Sequence, residues 1–263
     1  MQFLITRSEP HATQLAQQLT ELGVSSTFAE LMTIEPQPLS GSQRSHLLNL
    51  DLFDTIICVS ANAAKTLAEF IDQYWPQLPV DLNWIAIGQA TANTLAEHIP
   101  ELSTSEIILP NGTDSEALLA LPQLEQAKGK KVLLAKGVGG RDLIQQALTE
   151  AGATVTELEL YKRTPAFQSS TSLVDALNQQ PDFIQIASGD AFFCLLALLK
   201  QQQQDKKLIT QQTGLWLVPS QRVSSILQEH GIPSHQVAVC DGASNQAIIS
   251  FLSEQQKTQE HAQ

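Results

Sequence analysis

Hydroxyl groups, glycines and cations follow the predicted β-strands of this 263-residue chain. Ser60 and Ser188 each stand directly after an apolar run, where a serine can cap the next helix and the helix amides can receive a carboxylate. The run Lys136-Gly-Val-Gly-Gly-Arg141 places backbone amides between two cations, an arrangement that could cradle an anion. Helix capping explains each serine as well as anion binding does. Anion binding is therefore indicated by the two serines and the glycine-rich run together, and not by any one of them.

Tyr161 is the second candidate for chemistry. It is one of two tyrosines in the chain and ends a predicted strand, immediately before Lys162 and Arg163. A phenol at a strand end could have a functional role, and an aromatic residue at an interface is the alternative interpretation. The histidines share no motif, and the chain contains no Ser-His-Asp set, no paired carboxylates, no Walker A motif and no dinucleotide fingerprint. The sequence therefore offers no strong acid–base pair and no metal framework. A nucleotide-dependent enzyme is a further alternative, but it needs a phosphate loop that the stretch from Lys136 to Arg141 matches only loosely.

The chain contains an internal duplication. Residues 4–36 and 133–165 align without a gap at an offset of 129, and residues 54–60 align with 182–188 at an offset of 128. The matched pairs include Leu4 with Leu133, Arg7 with Lys136, Gly23 with Gly152, and Pro36 with Pro165. A period this long is outside the range of solenoid repeats and predicts two related domains with a cleft between them. Tyr161 aligns with Met32, so the phenol is a departure from the repeat.

Short apolar runs alternate with helical patterns along both halves, and a partly alternating segment over 26–34 is predicted as a strand or linker. This alternation predicts an α/β fold with parallel sheets joined by right-handed crossovers. Ligands of such sheets lie beyond the carboxyl ends of the strands. The loops to examine begin at Thr6, Ser60, Gly88, Lys136, Ser188 and Ser220.

Composition limits the classes of partner. The chain has 15 Lys and Arg against 27 Asp and Glu, a formal net charge of −12, which disfavours nucleic acid and anionic membrane as partners. No segment approaches the roughly 18 apolar residues of a membrane span, and the N-terminal apolar run is too short for a signal peptide. The three cysteines are widely spaced, as in proteins of reducing compartments. We expect a cytoplasmic monomer.

Five motifs occur in an order and spacing that resemble the uroporphyrinogen-III synthase family over nearly the whole chain. They are Leu4-Ile-Thr-Arg7, Ser60-Ala-Asn-Ala, Ile87-Gly-Gln-Ala-Thr91-Ala, Lys136-Gly-Val-Gly-Gly-Arg141 and Tyr161-Lys-Arg-Thr-Pro165. The resemblance implies two Rossmann- or flavodoxin-like parallel-sheet domains joined by a two-stranded β linker, with linkers near 27–36 and 155–165. The first domain would be discontinuous, comprising 1–35 and 166–260, and the second would comprise 36–165.

The resemblance also implies an activity. Members of the family are lyases that close the linear tetrapyrrole hydroxymethylbilane, with inversion of ring D and loss of water, to give uroporphyrinogen III. No cofactor or metal is implied. The substrate carries acetate and propionate groups, which would account for hydroxyl, amide and cationic loops in an acidic protein. A non-enzymatic two-domain module that binds an anionic small molecule is the alternative, because a fold does not determine a function.

By the same resemblance, Tyr161 is the candidate catalytic residue, helping the substrate hydroxyl to leave. A late threonine found in many members has no counterpart here, so Ser220 and Arg222 stand in for that region. The candidate substrate-binding residues are Arg7, Ser60, Thr91, Lys136, Gly139, Gly140, Arg141, Ser188, Ser220 and Arg222.

Overall fold

The computed structural model describes residues 1–112, 114–139 and 142–260, the last five of these by their backbone alone. The strands are β1 Gln2–Ile5, β2 Ser25–Phe28, β3 Met32–Pro36, β4 Thr55–Cys58, β5 Asn83–Ala86, β6 Ile107–Ile108, β7 Lys131–Gly137, β8 Thr154–Pro165, β9 Phe183–Gln185, β10 Leu215–Val218 and β11 Val237–Val239. The helices are α1 His11–Glu21, α2 Gly41–Leu48, α3 Ala61–Tyr74, α4 Gln89–His98, α5 Ser115–Leu119, α6 Pro122–Glu125, α7 Leu143–Glu150, α8 Ser170–Asn178, α9 Gly189–Gln201, α10 Lys207–Thr210, α11 Gln221–Glu229 and α12 Asn245–Glu260.

The chain divides into two compact units. The first unit comprises Met1–Thr33 and Thr164–Gln263, and the second comprises Ile34–Arg163. The expected domain limits at 35/36 and 165/166 each lie two residues further along the chain than these divisions (35 − 33 = 2; 165 − 163 = 2). Among the described helices, none is both long and apolar enough to cross a membrane.

The first unit is built on a five-stranded sheet in the order β11-β10-β9-β1-β2, with parallel pairing throughout. The three inner strands β1, β9 and β10 are largely buried, which explains why their sequences are mainly apolar, whereas the edge strands β2 and β11 are partly exposed. Trp216, Phe192 and Leu4 lie in the core on one face, and Phe3, Leu15 and Ile248 lie in the core on the other.

The second unit contains a six-stranded sheet in the order β3-β8-β7-β4-β5-β6, and the pairings from β8 to β6 are parallel. Its central strand is β4, in which Ile57 lies between Leu134 of β7 and Ile85 of β5. All four residues of β4 are buried, so this strand supports the helices on both faces of the sheet.

The two sheets share one topology. The order β11-β10-β9-β1-β2 in the first unit corresponds to β6-β5-β4-β7-β8 in the second. Because β1 and β7 open the two sequence repeats, each sheet combines the opening strands of one repeat with the closing strands of the other. The prediction of parallel-sheet α/β domains is confirmed, and the first compact unit consists of two separate segments of the chain. The role of β3 and β8 as a linker stays a prediction, although these strands are neighbours in the second sheet.

The segment 26–34, predicted as a strand or linker, does not form one continuous strand. The segment forms β2, which ends at Phe28, and β3, which begins at Met32 and belongs to the other sheet. Between them the backbone N–H groups of Ala29 and Leu31 donate to the carbonyls of Ile5 and Thr6. Ala29 and Leu31 are buried. These two buried residues therefore hold the chain in place at the break between the two strands.

Candidate functional site

The strand connections of the second unit reverse direction between β4 and β7. From β4 the chain continues to β5 and β6 on one side, and from β7 it continues to β8 on the other. Such a reversal leaves a crevice beyond the carboxyl ends of the two strands, where parallel sheets bind ligands. Ser60 follows β4, Gly137 ends β7, and Tyr161 lies on the adjacent β8. The topology therefore brings a hydroxyl, a glycine and a phenol to one place.

A cavity of about 290 Å³ opens beside these residues. Its volume is close to the lower limit of roughly 300 Å³ for small-molecule pockets, so it suits one substituted ring rather than a whole tetrapyrrole. Its walls are partly apolar and partly charged. The lining residues are Val59, Ile87, Asp114, Ser115, Leu134, Lys136, Gly137, Gly139, Ile144, Tyr161 and Arg163.

The Tyr161 hydroxyl is held from two sides. Tyr161 is only 1% exposed, and its Oη lies 3.0 Å from Ser60 Oγ. Arg163 Nη2 donates a hydrogen bond to the same oxygen at 3.1 Å. Ser60 caps helix α3, and its Oγ accepts from the backbone N–H of Ala63 at 3.1 Å. When Ser60 donates its proton to Tyr161, the phenol keeps its own proton for a ligand in the cavity.

Gly137 lies against the ring of Tyr161. A β-bulge between Lys136 and Gly137 shifts the register so that Gly137 pairs with Tyr161, and Val138 N donates to Tyr161 O at 2.7 Å. A Cβ at position 137 would lie 2.6 Å from Tyr161 Cζ and 2.8 Å from Cε2. Any larger residue at position 137 would therefore clash with the Tyr161 ring.

Sequence reasoning missed this contact, because it assigned the glycines after β7 to anion binding. A signal existed in the duplication. The offset of 129 aligns Gly137 with Ser8, just as it aligns Tyr161 with Met32. Both departures from the repeat thus occur in the same half of the chain, at positions that touch.

Lys136 lines the cavity but is paired with two carboxylates. Its side chain is 8% exposed, and Nζ lies 2.8 Å from Glu157 Oε1 and 3.4 Å from Asp142 Oδ1. Burial by itself would lower the pKa of Lys136, but the hydrogen bonds and charges of Glu157 and Asp142 outweigh burial and raise that pKa above its ordinary value. Lys136 is predicted to bind a carboxylate of the substrate. Two carboxylates of the protein already neutralise much of its positive charge. Substrate binding by Lys136 stays a prediction.

Replacing Lys136 by Met is expected to destabilise the protein by about 1–2 kcal/mol at pH 8, because it leaves Glu157 and Asp142 without the cation that both contact. The raised pKa means that the ion pairs contribute fully below the ordinary lysine pKa of about 10.4 and are lost as the pH rises through the folded-state value. The difference in unfolding free energy between wild type and Lys136→Met should therefore narrow above about pH 10.5. Urea unfolding of both proteins from pH 8 to 11 measures this difference.

Lys130→Met is the matched control, because Lys130 and Asp54 form an ion pair at 2.8 Å between side chains that are 54% and 35% exposed. This exposed pair should contribute no more than about 1 kcal/mol. If the difference in unfolding free energy between wild type and Lys136→Met stays constant up to pH 11, the charge of Lys136 is not the cause of the lost stability.

The glycine-rich run is described only in part. Gly139 has a φ of +74°, which favours glycine, and its N–H donates to Glu159 Oε1 at 3.4 Å. Gly140 and Arg141 lie outside the described residues. Helix α7 begins at Leu143, directly after Asp142. The acidic side chain before this helix contacts Lys136, so a protein carboxylate occupies part of the predicted anion cradle.

Thr91 lies in the first turn of α4 and is 4% exposed. It is not among the residues that line the cavity, whereas Ile87, just before the helix, is. Ser60 reaches the cavity through its hydrogen bond to Tyr161. Of the predicted residues that the structure describes in the second unit, Tyr161, Lys136 and Gly139 line the cavity directly.

The remaining predicted residues belong to the first unit. Arg7 follows β1, and its Nη1 donates to Ala243 O at 3.1 Å and to Asn245 Oδ1. Its Nε is buried without a hydrogen-bond partner, and burial lowers the pKa of the Arg7 guanidinium. Ser188 caps α9 by accepting from Ala191 N at 3.1 Å.

Ser220 precedes α11 without capping it through its side chain, and Arg222 is exposed on that helix. The structure gives neither residue a contact that selects it for substrate binding. Both assignments stay predictions.

The cysteines do not supply a nucleophile. All three are buried, and burial raises the pKa of Cys58 to about 12 and that of Cys240 to about 11. Burial is also the largest cause of the raised pKa of Cys194. The thiols are therefore protonated at neutral pH. Within the part of the chain that the structure describes, no cluster of three or more His, Cys, Asp or Glu side chains could hold a metal ion.

Comparison with known proteins identifies relatives over most of the chain. A family model described as "Uroporphyrinogen-III synthase HemD" matches residues 13–249. The uroporphyrinogen-III synthase of Escherichia coli (strain K12) is 30% identical over 257 residues, which cover 96% of this chain and 100% of that protein. The corresponding enzyme of Proteus mirabilis is 35% identical over 164 residues, covering 62% of this chain and 80% of that protein.

Two solved structures are similar in fold. A mutant uroporphyrinogen III synthase from the extremely thermophilic bacterium Thermus thermophilus aligns with a TM-score of 0.63 at 18% identity, covering 98% of this chain and 99% of the other. The uroporphyrinogen-III synthetase of Helicobacter pylori 26695 aligns with a TM-score of 0.57 at 13% identity, covering 96% and 98%. At this level of identity the structures support the fold alone.

Proposed function

We propose a reaction for this chain because the chain belongs to the uroporphyrinogen-III synthase family. The reaction closes hydroxymethylbilane, inverts ring D and releases water, and its product is uroporphyrinogen III, an intermediate of tetrapyrrole biosynthesis. In class it is a lyase reaction that needs no cofactor. We also propose that the protein is a cytoplasmic monomer that has no nucleic-acid or membrane partner.

One observation supports placing the chemistry in the second unit: the Tyr161 phenol lies between Ser60 and Arg163 at the wall of a cavity sized for one ring. The cavity lies at the reversal of strand order, where sheets of this class bind ligands. In the proposed step the pyrrole nitrogen expels the hydroxyl, and Tyr161 donates a proton to the departing oxygen. Arg163 stabilises the phenolic oxygen as the proton leaves.

The cavity also carries groups suited to a developing cation. Asp114 is an acidic lining residue, and it caps helix α5 by accepting from Ala117 N at 2.8 Å. A fixed carboxylate near an azafulvenium-like cation stabilises it without reorganisation. The apolar side chains of Val59, Leu134 and Ile144 exclude water from the same space.

Only modest catalysis is required of these groups. Free hydroxymethylbilane closes unaided to the uninverted isomer, so a hundredfold advantage needs about 2.7 kcal/mol of barrier lowering. Tyrosines are weak acids near neutral pH, with a reference pKa of about 10. We therefore assign the larger part of the rate to holding the folded substrate with its charge stabilised, and the smaller part to proton donation.

Product analysis tests the function. The purified protein is incubated with enzymatically generated hydroxymethylbilane, and the uroporphyrinogen isomers are separated by chromatography after oxidation. We expect the type III isomer to predominate. Formation of the uninverted isomer alone, at the rate of a protein-free reaction, would overturn the proposal, and tight binding of the bilane without turnover would favour the non-enzymatic module.

Tyr161→Phe is expected to lower turnover by about tenfold while the type III isomer is still formed above background, because general acid catalysis is the smaller contribution. Isomer-resolved chromatography of initial rates measures it. Tyr74→Phe, which changes the other tyrosine at the end of α3, should leave the rate unchanged. If Tyr161→Phe falls to the protein-free rate while its fold is intact, the proton donor is the main catalyst and our division of roles is wrong.

A further inference from the structure

Arg163 is a cationic residue of the cavity wall that the family motifs did not single out as a site residue. It lies on β8 two residues after Tyr161, so the two side chains project from the same face of the strand. The residue is exposed, yet its Nη2 reaches Tyr161 Oη at 3.1 Å and its Cζ lies 5.4 Å from the ring centroid. Arg163 thus contacts both the hydroxyl and the ring of Tyr161.

This contact determines which way the phenol proton can point. A guanidinium carries only donors, so Tyr161 Oη must accept from Arg163 and cannot donate to it. Ser60 Oγ already accepts from Ala63 N, and its own proton can be given to Tyr161. With both neighbours donating, the phenol proton is directed away from them, toward the cavity.

We propose that Arg163 is a positioning residue for the reaction: it holds the Tyr161 phenol with its proton facing the substrate and stabilises the phenolic oxygen when that proton is transferred. In that step the O–H bond of Tyr161 breaks, the proton joins the departing hydroxyl to form water, and the phenolate is held by Arg163 until a proton released on ring closure returns to it. This inference rests on the proposed function.

The structure favours this role over a purely substrate-binding one. Arg163 contacts Tyr161, and Lys136, the other described cation of the cavity wall, is paired with Glu157 and Asp142. A guanidinium bound to a phenol remains able to donate through its other N–H groups. Its principal effect, however, should pass through Tyr161.

A double-mutant cycle tests the inference. Arg163→Gln and Arg163→Lys are made in the wild-type protein and in Tyr161→Phe, and kcat and KM are measured for type III isomer formation. We expect Arg163→Gln to lower kcat about fivefold to tenfold when Tyr161 is present and less than about twofold when it is absent, with KM nearly constant. Arg163→Lys keeps a cationic donor and should recover part of the loss.

Arg44→Gln is the matched control, because Arg44 is an exposed arginine on α2 of the same unit and does not line the cavity. It should leave both kinetic constants unchanged. Equal losses for Arg163→Gln in the two backgrounds, or a loss confined to KM, would overturn the positioning role and assign Arg163 to substrate carboxylate binding. Absence of type III product from the wild-type protein would instead refute the proposed function, so the two failures are distinguishable.

Discussion

Gly137→Ala should lower turnover by about tenfold or more and destabilise the protein by about 1–3 kcal/mol, the usual cost of overpacking. The added Cβ would lie 2.6 Å from Tyr161 Cζ and 3.0 Å from its Oη. Tyr161 is buried and hydrogen-bonded to Ser60 and Arg163, so its ring cannot swing aside without losing those contacts. The substitution should therefore damage the site more than Tyr161→Phe does, although it leaves the phenol in the sequence.

The two effects of Gly137→Ala are measured separately, by initial rates of type III isomer formation and by urea unfolding. Gly41→Ala is the control, because Gly41 begins α2 and an added Cβ there meets no atom within 4 Å. Combining Gly137→Ala with Tyr161→Leu should cost less stability than the two single changes added together, since the ring is the clashing group. Additive costs, or wild-type turnover for Gly137→Ala, would show that the ring does not require the glycine.

Gly214→Ala is expected to have the largest effect on stability, about 3 kcal/mol or more. A Cβ at this position would lie 2.0 Å from Pro181 O and 2.9 Å from Asp182 O. These are backbone atoms, so no side-chain rotation relieves the clash. The same carbonyl of Asp182 accepts from Leu215 N at 2.8 Å, and moving it would disturb the pairing of β9 with β10.

Urea unfolding followed by circular dichroism measures the loss for Gly214→Ala. The comparison is Gly23→Ala in the same unit, where φ is +69° but no atom lies within 4 Å of an added Cβ. That change should cost only about 1 kcal/mol, through backbone strain. Activity of Gly214→Ala should fall with the folded fraction, so addition of a stabilising osmolyte should restore part of it. A free energy of unfolding equal to that of Gly23→Ala would contradict the clash.

Much of the architecture could be predicted from periodicity and from the duplication. Apolar runs such as residues 55–58 and 132–135 indicate strands buried on both faces, because a strand covered by helices on both sides has no polar face. The gapless match of 4–36 with 133–165 predicted two similar sheets, and the strand orders confirm it. The partly alternating segment 26–34 predicted a strand or linker but not its division between two sheets, since alternation indicates burial and does not indicate which sheet a residue joins.

The sequence by itself determined the alternation of strands and helices, the duplicated topology, the family and the choice of Tyr161 as a residue that departs from the repeat. Only the tertiary structure decided what surrounds that residue: the contact with Gly137, the hydrogen bonds with Arg163 and Ser60, and the pairing of Lys136 with carboxylates. The physical reason is that local patterns record whether a segment is buried. The contacts of Tyr161 with Gly137 and with Ser60 join residues 24 and 101 positions apart, so they depend instead on strand order and on one bulge in β7 (161 − 137 = 24; 161 − 60 = 101).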